Sequence, residues 1–290
     1  MSATQNAPLL EVRDLAISFS QYEGWLRRRV VTPVTGMSLT ARAGEVTALV
    51  GASGAGKTLM GLAVLGLLPV NASATGEITY DGRPLTPRRR TEVVGREITM
   101  LPQAISHLDP TARVGAQVAR ALELAGVPGS GAPAALAARG LEASVLRRYP
   151  HELSGGMARR VLAAMALAGT RRLVIADEPT PGLDPAAVGV ALGDLRRLAD
   201  AGVAVVLISH DVSGVLEVAD RVVVTDHGRT LETADPGQFA GDGSRLNHPY
   251  SRALWRALPS NDFALPGPED GFAHESARMS GAGSAVEGRR

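Results

Sequence analysis

The stretch GASGAGKT, residues 51–58, decides how the fold of this chain is interpreted. It fits the pattern G-x-x-x-x-G-K-[ST] in full, follows the apolar run EVTALV (45–50), and opens a segment of helical periodicity. Glycines in such a loop let the backbone turn tightly and direct its N–H groups at phosphate oxygens, and the helix N-terminus adds positive potential. The pattern therefore predicts a phosphate-binding loop between a buried strand and a helix.

Lys57 is the only lysine in the chain, although Lys and Arg together number 30. Because all the remaining basic residues of these two types are arginine, the retained lysine indicates a position at which arginine cannot replace it. A compact ammonium fits between the β- and γ-phosphates of a nucleotide, whereas the wide planar guanidinium does not fit in the same way. The loop residues expected to bind the nucleotide are Gly51, Ser53, Gly54, Ala55, Gly56, Lys57 and Thr58.

A second apolar run, LVIADEPT at 173–180, ends in two adjacent carboxylates. Strand ends are where α/β sheets place their ligand sites, so we expect Asp177 and Glu178 to lie beside the phosphate loop. Asp177 is predicted to hold Mg²⁺ together with the Thr58 hydroxyl. Glu178 is predicted to be the general base that activates the attacking water.

The composition excludes several classes of protein. A formal net charge of +1 argues against nucleic-acid binding driven by bulk charge. The chain contains no cysteine, so disulfides, thiolate metal sites and cysteine-ligated clusters are impossible. The N-terminal residues do not have the pattern of a signal peptide, and no run approaches the roughly 18 apolar residues that span a membrane. These features predict a cytosolic protein.

Strand-length apolar runs alternate with helical segments along the chain. The predicted strands are 45–50, 97–101, 173–176, 203–209 and 221–225, and the predicted helices are 57–68, 112–125, 132–148, 155–168, 186–200 and 211–219. This alternation indicates a doubly wound, mostly parallel α/β sheet. The block at about 102–165 predicts an inserted helical subdomain, and extended segments within 10–50 predict a small antiparallel sheet with a lengthened hairpin at 21–31.

The order of the motifs resembles that of the ATP-binding cassette family. After the loop at 51–58 come Gln103 in MLPQ, the stretch LSGGM (153–157), the acidic strand end, Asp184 in GLD and His210 in LISHD. The resemblance extends from about residue 9 to residue 229. It implies an α/β P-loop NTPase core of the RecA-like type, with an inserted helical subdomain and a small N-terminal antiparallel β subdomain. It also implies hydrolysis of ATP with Mg²⁺ as the cofactor.

The resemblance implies roles for residues around the bound nucleotide. Gln103 corresponds to the residue that senses Mg²⁺ and water, which makes it both a catalytic and a metal-site residue. His210 corresponds to the switch histidine that contacts the γ-phosphate. Phe19 matches the position of the aromatic residue that stacks on adenine, with Tyr22 and Trp25 as alternatives and a core role for Phe19 also open.

Other matching residues are implied to act across a dimer. Ser154, Gly155 and Gly156 correspond to the signature that contacts the γ-phosphate of ATP bound to the opposite subunit. Asp184 corresponds to the residue that couples the two sites. Met157 departs from the commonest form of the signature, which has glutamine at this position, so the effect of this departure on the basal rate stays open.

The C-terminal stretch HPYSRALWRALP, residues 248–259, resembles the short module of ATPases from peptide and nickel importers. The predicted organisation is therefore an ATPase domain at 8–240, an importer-type module at 241–260, and a disordered tail at 261–290. The stretches GLAVLGLLP (61–69) and HLDP (107–110) resemble the nickel type most, and the lack of cysteine favours it slightly. A peptide remains nearly as good a cargo.

The resemblance also implies partners and a location. A second ATPase subunit would complete a homodimer or heterodimer, which would associate with integral membrane permease subunits and, through them, with a substrate-binding protein. No nucleic acid partner is implied. The chain would then be a peripheral protein on the cytoplasmic face of the membrane.

Three alternative functions can be compared with the sequence, and the motifs argue against the second and third. The ATPase subunit of a soluble, non-transport complex, of the phosphonate-degradation type, has a similar set of motifs. A P-loop kinase has no need for LSGGM or for His210. A binding module without catalysis conflicts with the intact Glu178.

Overall fold

The structure is a computed structural model that describes residues 7–23, 27–169, 171–258 and 261. Its strands are β1 (Leu10–Glu23), β2 (Arg27–Ala41), β3 (Val46–Gly51), β4 (Ala72–Tyr80), β5 (Arg83–Pro84), β6 (Ile98–Leu101), β7 (Leu173–Asp177), β8 (Ala204–Ser209), β9 (Arg221–Asp226) and β10 (Arg229–Ala234). Its α-helices are α1 (Lys57–Leu65), α2 (Pro87–Val93), α3 (Val114–Leu124), α4 (Ala132–Ala137), α5 (Gly155–Ala166), α6 (Pro185–Asp200), α7 (Val212–Leu216) and α8 (Pro249–Arg256). The strands form one sheet in the order β5-β4-β1-β2-β10-β9-β3-β8-β7-β6.

The parallel half of the sheet carries the phosphate loop. Strand β3 lies between β8 and β9 and is parallel to both, and β7 continues the parallel arrangement between β8 and β6. All residues of β3, β7 and β8 are buried. This burial explains the nearly continuous apolar runs, because a strand inside a parallel α/β sheet is covered on both faces. The predicted α/β sheet is therefore confirmed.

The other half of the sheet is largely antiparallel. Strands β1 and β2 pair antiparallel from Leu10 opposite Ala41 as far as Glu23 opposite Arg27, and β4 pairs with the other edge of β1. The extended segments predicted within 10–50 are thus found as β1 and β2. Residues 24–26, which include Trp25, and the side chain of Tyr22 lie outside the described residues.

A block of helices lies between β6 and β7 in the chain. It contains α3, α4, α5 and several 3-10 turns, and it packs around its own apolar cluster, which includes Val114, Val118, Leu136 and Val161. The prediction of one helix over 132–148 is wrong, because α4 ends at Ala137. Gly140 has a φ of 64°, and the Leu141 N–H donates to the Leu136 carbonyl at 3.0 Å. This is a glycine-terminated helix end, which periodicity alone does not reveal.

Residues 237–258 and 261 belong to a compact unit separate from the rest of the described chain. Helix α8 begins after His248, whose ring accepts a hydrogen bond from the Tyr250 N–H at 3.1 Å. Trp255 stands edge-on against Phe239, with ring centroids 6.0 Å apart. Residues 262–290, for which the sequence predicts disorder, lie outside the described residues. No helix in the described ranges combines the length and apolar character needed to cross a membrane.

Candidate active site at the strand ends

The predicted site residues meet because three adjacent parallel strands end at the same edge of the sheet. Strand β3 ends at Gly51, β8 ends at Ser209 and β7 ends at Asp177, and β8 lies between the other two. The residues that follow these strands therefore face one another across a short distance. One cavity is lined by Ser53, Gly54, Ala55, Gly56, Lys57, Thr58, Leu59, Gln103, Glu178 and His210.

The phosphate loop depends on glycine at particular positions. Gly51, Gly54 and Gly56 have φ values of 153°, 84° and 81°, in the region that favours glycine. A Cβ added at Gly51 would lie 2.0 Å from the Thr225 carbonyl oxygen, and one at Gly56 would lie 2.5 Å from Cγ2 of Val34. Gly54 has open space around it, so there the backbone conformation alone favours glycine. The loop is thus fixed by the neighbouring strands β9 and β2.

Gly56→Ala is expected to lower the free energy of unfolding by about 1–3 kcal/mol, because the new methyl group meets Val34 and the left-handed backbone is strained. Gly189→Ala is the matched control. Gly189 is exposed on α6 with open space around it, and the same change in a helix interior should stabilise by about 0.5–1 kcal/mol. Urea unfolding of both variants measures the difference. A Gly56→Ala protein as stable as the wild type would contradict the prediction.

Lys57 is the first residue of α1 and is only 7% exposed. Its Nζ donates hydrogen bonds to the carbonyl oxygens of Gly51 at 2.8 Å and Ala52 at 2.9 Å. Burial lowers the pKa of this ammonium below its usual value, and the nearby carboxylates of Glu178 and Asp177 act in the opposite direction. The side chain is thus held over the loop as a buried donor, in reach of whatever the loop binds.

Asp177 and Thr58 form a direct contact that suits a hard cation. The Thr58 hydroxyl donates to Oδ1 of Asp177 at 3.0 Å, and Asp177 is 2% exposed. Burial raises the pKa of Asp177, as does the charge of Glu178, whereas the Thr58 hydrogen bond and the charges of Lys57 and His107 lower it. A hydroxyl and a desolvated carboxylate are the oxygen donors that Mg²⁺ takes alongside nucleotide phosphates. The residues present therefore fit a magnesium ion.

Glu178 is held in an unusual backbone conformation. Its φ is 47°, and its N–H donates to the Ile208 carbonyl of β8 at 2.9 Å. The carboxylate Oε2 lies 2.7 Å from Nδ1 of His210, the residue that follows β8. Non-glycine residues with positive φ cost about 1–3 kcal/mol and persist where the surrounding structure holds them, often at functional sites. The strand pair thus positions Glu178 and His210 as a hydrogen-bonded pair at the cavity.

The second set of predicted residues lies elsewhere on the chain. Ser154 caps α5 by accepting from the Met157 N–H at 3.2 Å, and Ser154 to Gly156 are exposed. Asp184 caps α6, accepting from the Ala187 N–H at 2.9 Å. Gly156 and Asp184 line a second surface cavity rather than the one at the phosphate loop. The structure thus groups the residues predicted to act across a dimer apart from those predicted to act within the chain.

Two predicted features have a clear packing environment. Phe19 is partly buried and packs against the apolar cluster of the sheet. Met157, which departs from the common form of the signature, is partly buried and packs against the helical block. Its apolar side chain therefore contributes to the core of the helical block.

No catalytic or binding role follows from the sequence for the side chains of Arg159 and His107. The Arg159 guanidinium donates to the Pro181 carbonyl and lines a small cavity with Gln103 and Glu178. His107 lies close enough for its charge to lower the pKa of Asp177. A basic residue on a helix and a lone histidine give no sequence signal of their own, because only the folded chain brings them to the site.

Comparison with known proteins identifies the family. A family model described as "ABC transporter" matches residues 34–181. The chain is 36% identical over 280 residues to the oligopeptide transport ATP-binding protein OppD of Bacillus subtilis, covering 87% of this chain and 72% of the relative. It is 36% identical over 268 residues to the protein of the same name from Salmonella typhimurium, covering 88% and 77% of the two chains.

A solved structure has the same fold. The dimeric ATP-binding cassette MJ0796, in a post-hydrolysis state with ADP and Pi, has a TM-score of 0.67 at 22% identity, covering 78% of this chain and 98% of the other. A phosphate loop, an acidic strand end and a histidine after the central strand thus occur here within a cassette fold. The chain belongs to the ABC transporter family and carries the ATPase domain of that family.

Proposed function

We propose that this chain is the ATP-hydrolysing subunit that energises the import of di- or oligopeptides. The observation that carries the proposal is that Lys57, Thr58 and the hydrogen-bonded pair Glu178–His210 line one cavity, with Asp177 hydrogen-bonded to Thr58. Hydrolysis of a phosphoanhydride needs a cradle for the phosphates, a metal site and a base for water, and Lys57, the Thr58–Asp177 pair and the Glu178–His210 pair supply these in turn. Glu178 and His210 together make the site hydrolytic rather than merely nucleotide-binding.

The chemistry follows from the positions of these side chains. Backbone N–H groups of residues 53–58 and the Lys57 ammonium bind the β- and γ-phosphates at the N-terminus of α1. Thr58 and Asp177 would hold a magnesium ion, which would neutralise charge on the phosphates. Glu178 accepts a proton from the attacking water, and His210, which lines the same cavity, holds that carboxylate in place through its hydrogen bond. Gln103 closes the cavity on the side of the helical block.

The two separate groups of residues support a dimer. The loop cavity of one chain is lined by residues 53–59, Gln103, Glu178 and His210, while Ser154 to Gly156 are exposed at the start of α5. An exposed helix N-terminus with two glycines and a serine is a ready anion-binding surface. We propose that this surface completes the nucleotide site of a second ATPase subunit, which is either a second copy or a related chain.

Peptide is the cargo that the relatives favour. OppD from Bacillus subtilis and from Salmonella typhimurium are named for oligopeptide transport. Nickel or a metal chelate, which the sequence analysis placed slightly ahead, stays an untested alternative. Import requires permease subunits in the membrane and a substrate-binding protein outside it, so the proposal places this chain on the cytoplasmic face as a peripheral subunit.

The test is uptake in cells that lack this gene and are complemented with wild type, Glu178→Gln or Glu92→Gln. Glu92 is an exposed partner of Arg88 on α2 and is not among the residues that line the nucleotide cavity, so it serves as the matched control. A labelled tripeptide and cell-associated nickel under chelation are followed in parallel. We expect peptide uptake with wild type and Glu92→Gln and its loss with Glu178→Gln. If nickel uptake instead depends on Glu178, the cargo is nickel rather than peptide. If neither peptide nor nickel uptake differs among the complemented cells, the result contradicts a role in transport.

A further inference from the structure

We infer that Arg159 is a positioning residue for hydrolysis, which ties the signature helix α5 to the loop that carries Glu178. The inference rests on the proposed function, since it concerns the same site. Arg159 is half-buried on α5, and its Nη1 donates to the Pro181 carbonyl oxygen. Pro181 lies three residues after Glu178 and three before Asp184. The guanidinium therefore holds the middle of the segment that joins two predicted functional residues.

The loop at 179–184 is also stabilised by hydrogen bonds within it and at its C-terminal end. The Leu183 N–H donates to the Thr180 carbonyl at 3.1 Å, and Asp184 caps α6. Gly182 has a φ of 72°, and a Cβ added there would lie 3.7 Å from Nη2 of Arg159. The loop is thus a tight turn that packs beside the guanidinium. The Pro181 carbonyl oxygen accepts from Arg159. Among the described hydrogen bonds, this is the only one between a basic side chain of α5 and the turn.

Arg159 and Glu178 line one small cavity. This cavity is lined by Leu101, Pro102, Gln103, Arg159, Leu162, Glu178 and Pro179. Gln103 and Glu178 line the nucleotide cavity too, so the small cavity lies directly behind the residues that face the nucleotide. Arg159 thus reaches Glu178 through the Pro181 turn and this shared cavity. Its own guanidinium does not line the nucleotide cavity, which is why it acts through Glu178 rather than on ATP.

The position of Arg159 on α5 gives the contact a function. Ser154 caps the same helix, five residues before Arg159, which corresponds to about 7.5 Å along the axis. In the proposed dimer, Ser154 binds the nucleotide of the other subunit. Helix α5 therefore joins the occupied site of one subunit to the loop behind the base of the other, and Arg159 is the side chain that makes the connection. Loss of the connection leaves phosphate binding intact and misplaces the base.

The experiment compares Arg159→Gln, Arg159→Lys and Arg90→Gln in the full chain. Arg90 is the matched control, because its guanidinium also ties one element to another through carbonyl oxygens, those of Ala63 and Val64 at 3.0 Å. Phosphate release with ATP and Mg²⁺ gives kcat and KM, equilibrium binding gives the Kd for ATP, and thermal unfolding gives Tm. We expect Arg159→Gln to lower kcat about ten- to hundredfold with KM and Kd within twofold of wild type.

Arg159→Lys retains a donor and is expected to recover part of kcat. Arg90→Gln is expected to lower Tm and leave kcat within twofold. Unchanged kcat in Arg159→Gln would overturn the inference, as would a rise in KM or Kd in place of a fall in kcat. An equal fall in kcat for Arg90→Gln would also overturn the inference, because it would show that losing any structural arginine contact has the same effect. If the wild type itself releases no phosphate, the proposed function fails and the inference that rests on it fails with it, whereas unchanged kcat in Arg159→Gln alone overturns only the inference.

Discussion

Glu178→Gln is expected to slow ATP hydrolysis by about 10²- to 10⁴-fold, which corresponds to about 3–5 kcal/mol of activation free energy. The amide has nearly the shape of the carboxylate and can still form a hydrogen bond with His210, which lies 2.7 Å from Oε2. The backbone hydrogen bond to Ile208 is unchanged, so the residue keeps its left-handed conformation. What the amide cannot do is accept the proton of the attacking water. ATP binding should therefore survive while turnover is lost.

Phosphate release, ATP affinity and size-exclusion chromatography with ATP together check this prediction. Because a bound and unhydrolysed nucleotide holds the proposed dimer closed, the variant should elute as a dimer with ATP and as a monomer without it. Glu92→Gln, which removes the same charge from an exposed ion pair on α2, should behave as wild type. Normal turnover in Glu178→Gln would assign the base to another group. Lost ATP binding would mean that Glu178 serves the phosphate loop rather than the water.

The part of the candidate site that follows from the sequence is local in the chain. The loop at 51–58, the acids at 177–178 and His210 each follow an apolar strand, and adjacent parallel strands end at one edge of the sheet. The strands themselves follow from short-range apolar patterns, whereas their order in the sheet comes from the structure.

What the sequence did not predict is long-range or depends on backbone conformation. The contact between Arg159 and Pro181 joins positions 22 residues apart, and nothing in the pattern of α5 distinguishes Arg159 from Arg160. Strand β4 was not predicted, because it is mostly exposed and has little apolar periodicity. It nevertheless pairs with β1 over eight residues. The end of α4 depends on Gly140 in the left-handed region, which a helical periodicity passes over.

Lys57→Arg is expected to weaken ATP binding at least about 100-fold, although the substitution keeps the charge. Nζ of Lys57 occupies a buried position between the carbonyl oxygens of Gly51 and Ala52, at 2.8 and 2.9 Å. A planar guanidinium is wider and presents its donors in a fixed fork, so it cannot take the same place in a closed loop. A factor of 100 corresponds to about 2.7 kcal/mol, which is the order of one or two lost hydrogen bonds to a charged group. Arg13→Lys, at an exposed ion pair with Glu11, is the conservative control and should bind ATP normally.

The lone lysine also makes its own titration measurable. Incorporation of ¹³C-labelled lysine gives a single lysine Cε resonance without altering the ammonium, and the Lys57→Arg protein lacks this resonance, which is thereby assigned. Because burial lowers the pKa of Lys57, the resonance should titrate with a midpoint below the usual 10.5 in the absence of nucleotide. Phosphate oxygens beside the ammonium favour its charged form, so ATP should raise the midpoint. A midpoint that ATP leaves unchanged, together with unimpaired binding by Lys57→Arg, would place the phosphates away from Lys57. It would also remove the physical reason for keeping one lysine in a chain that otherwise uses arginine.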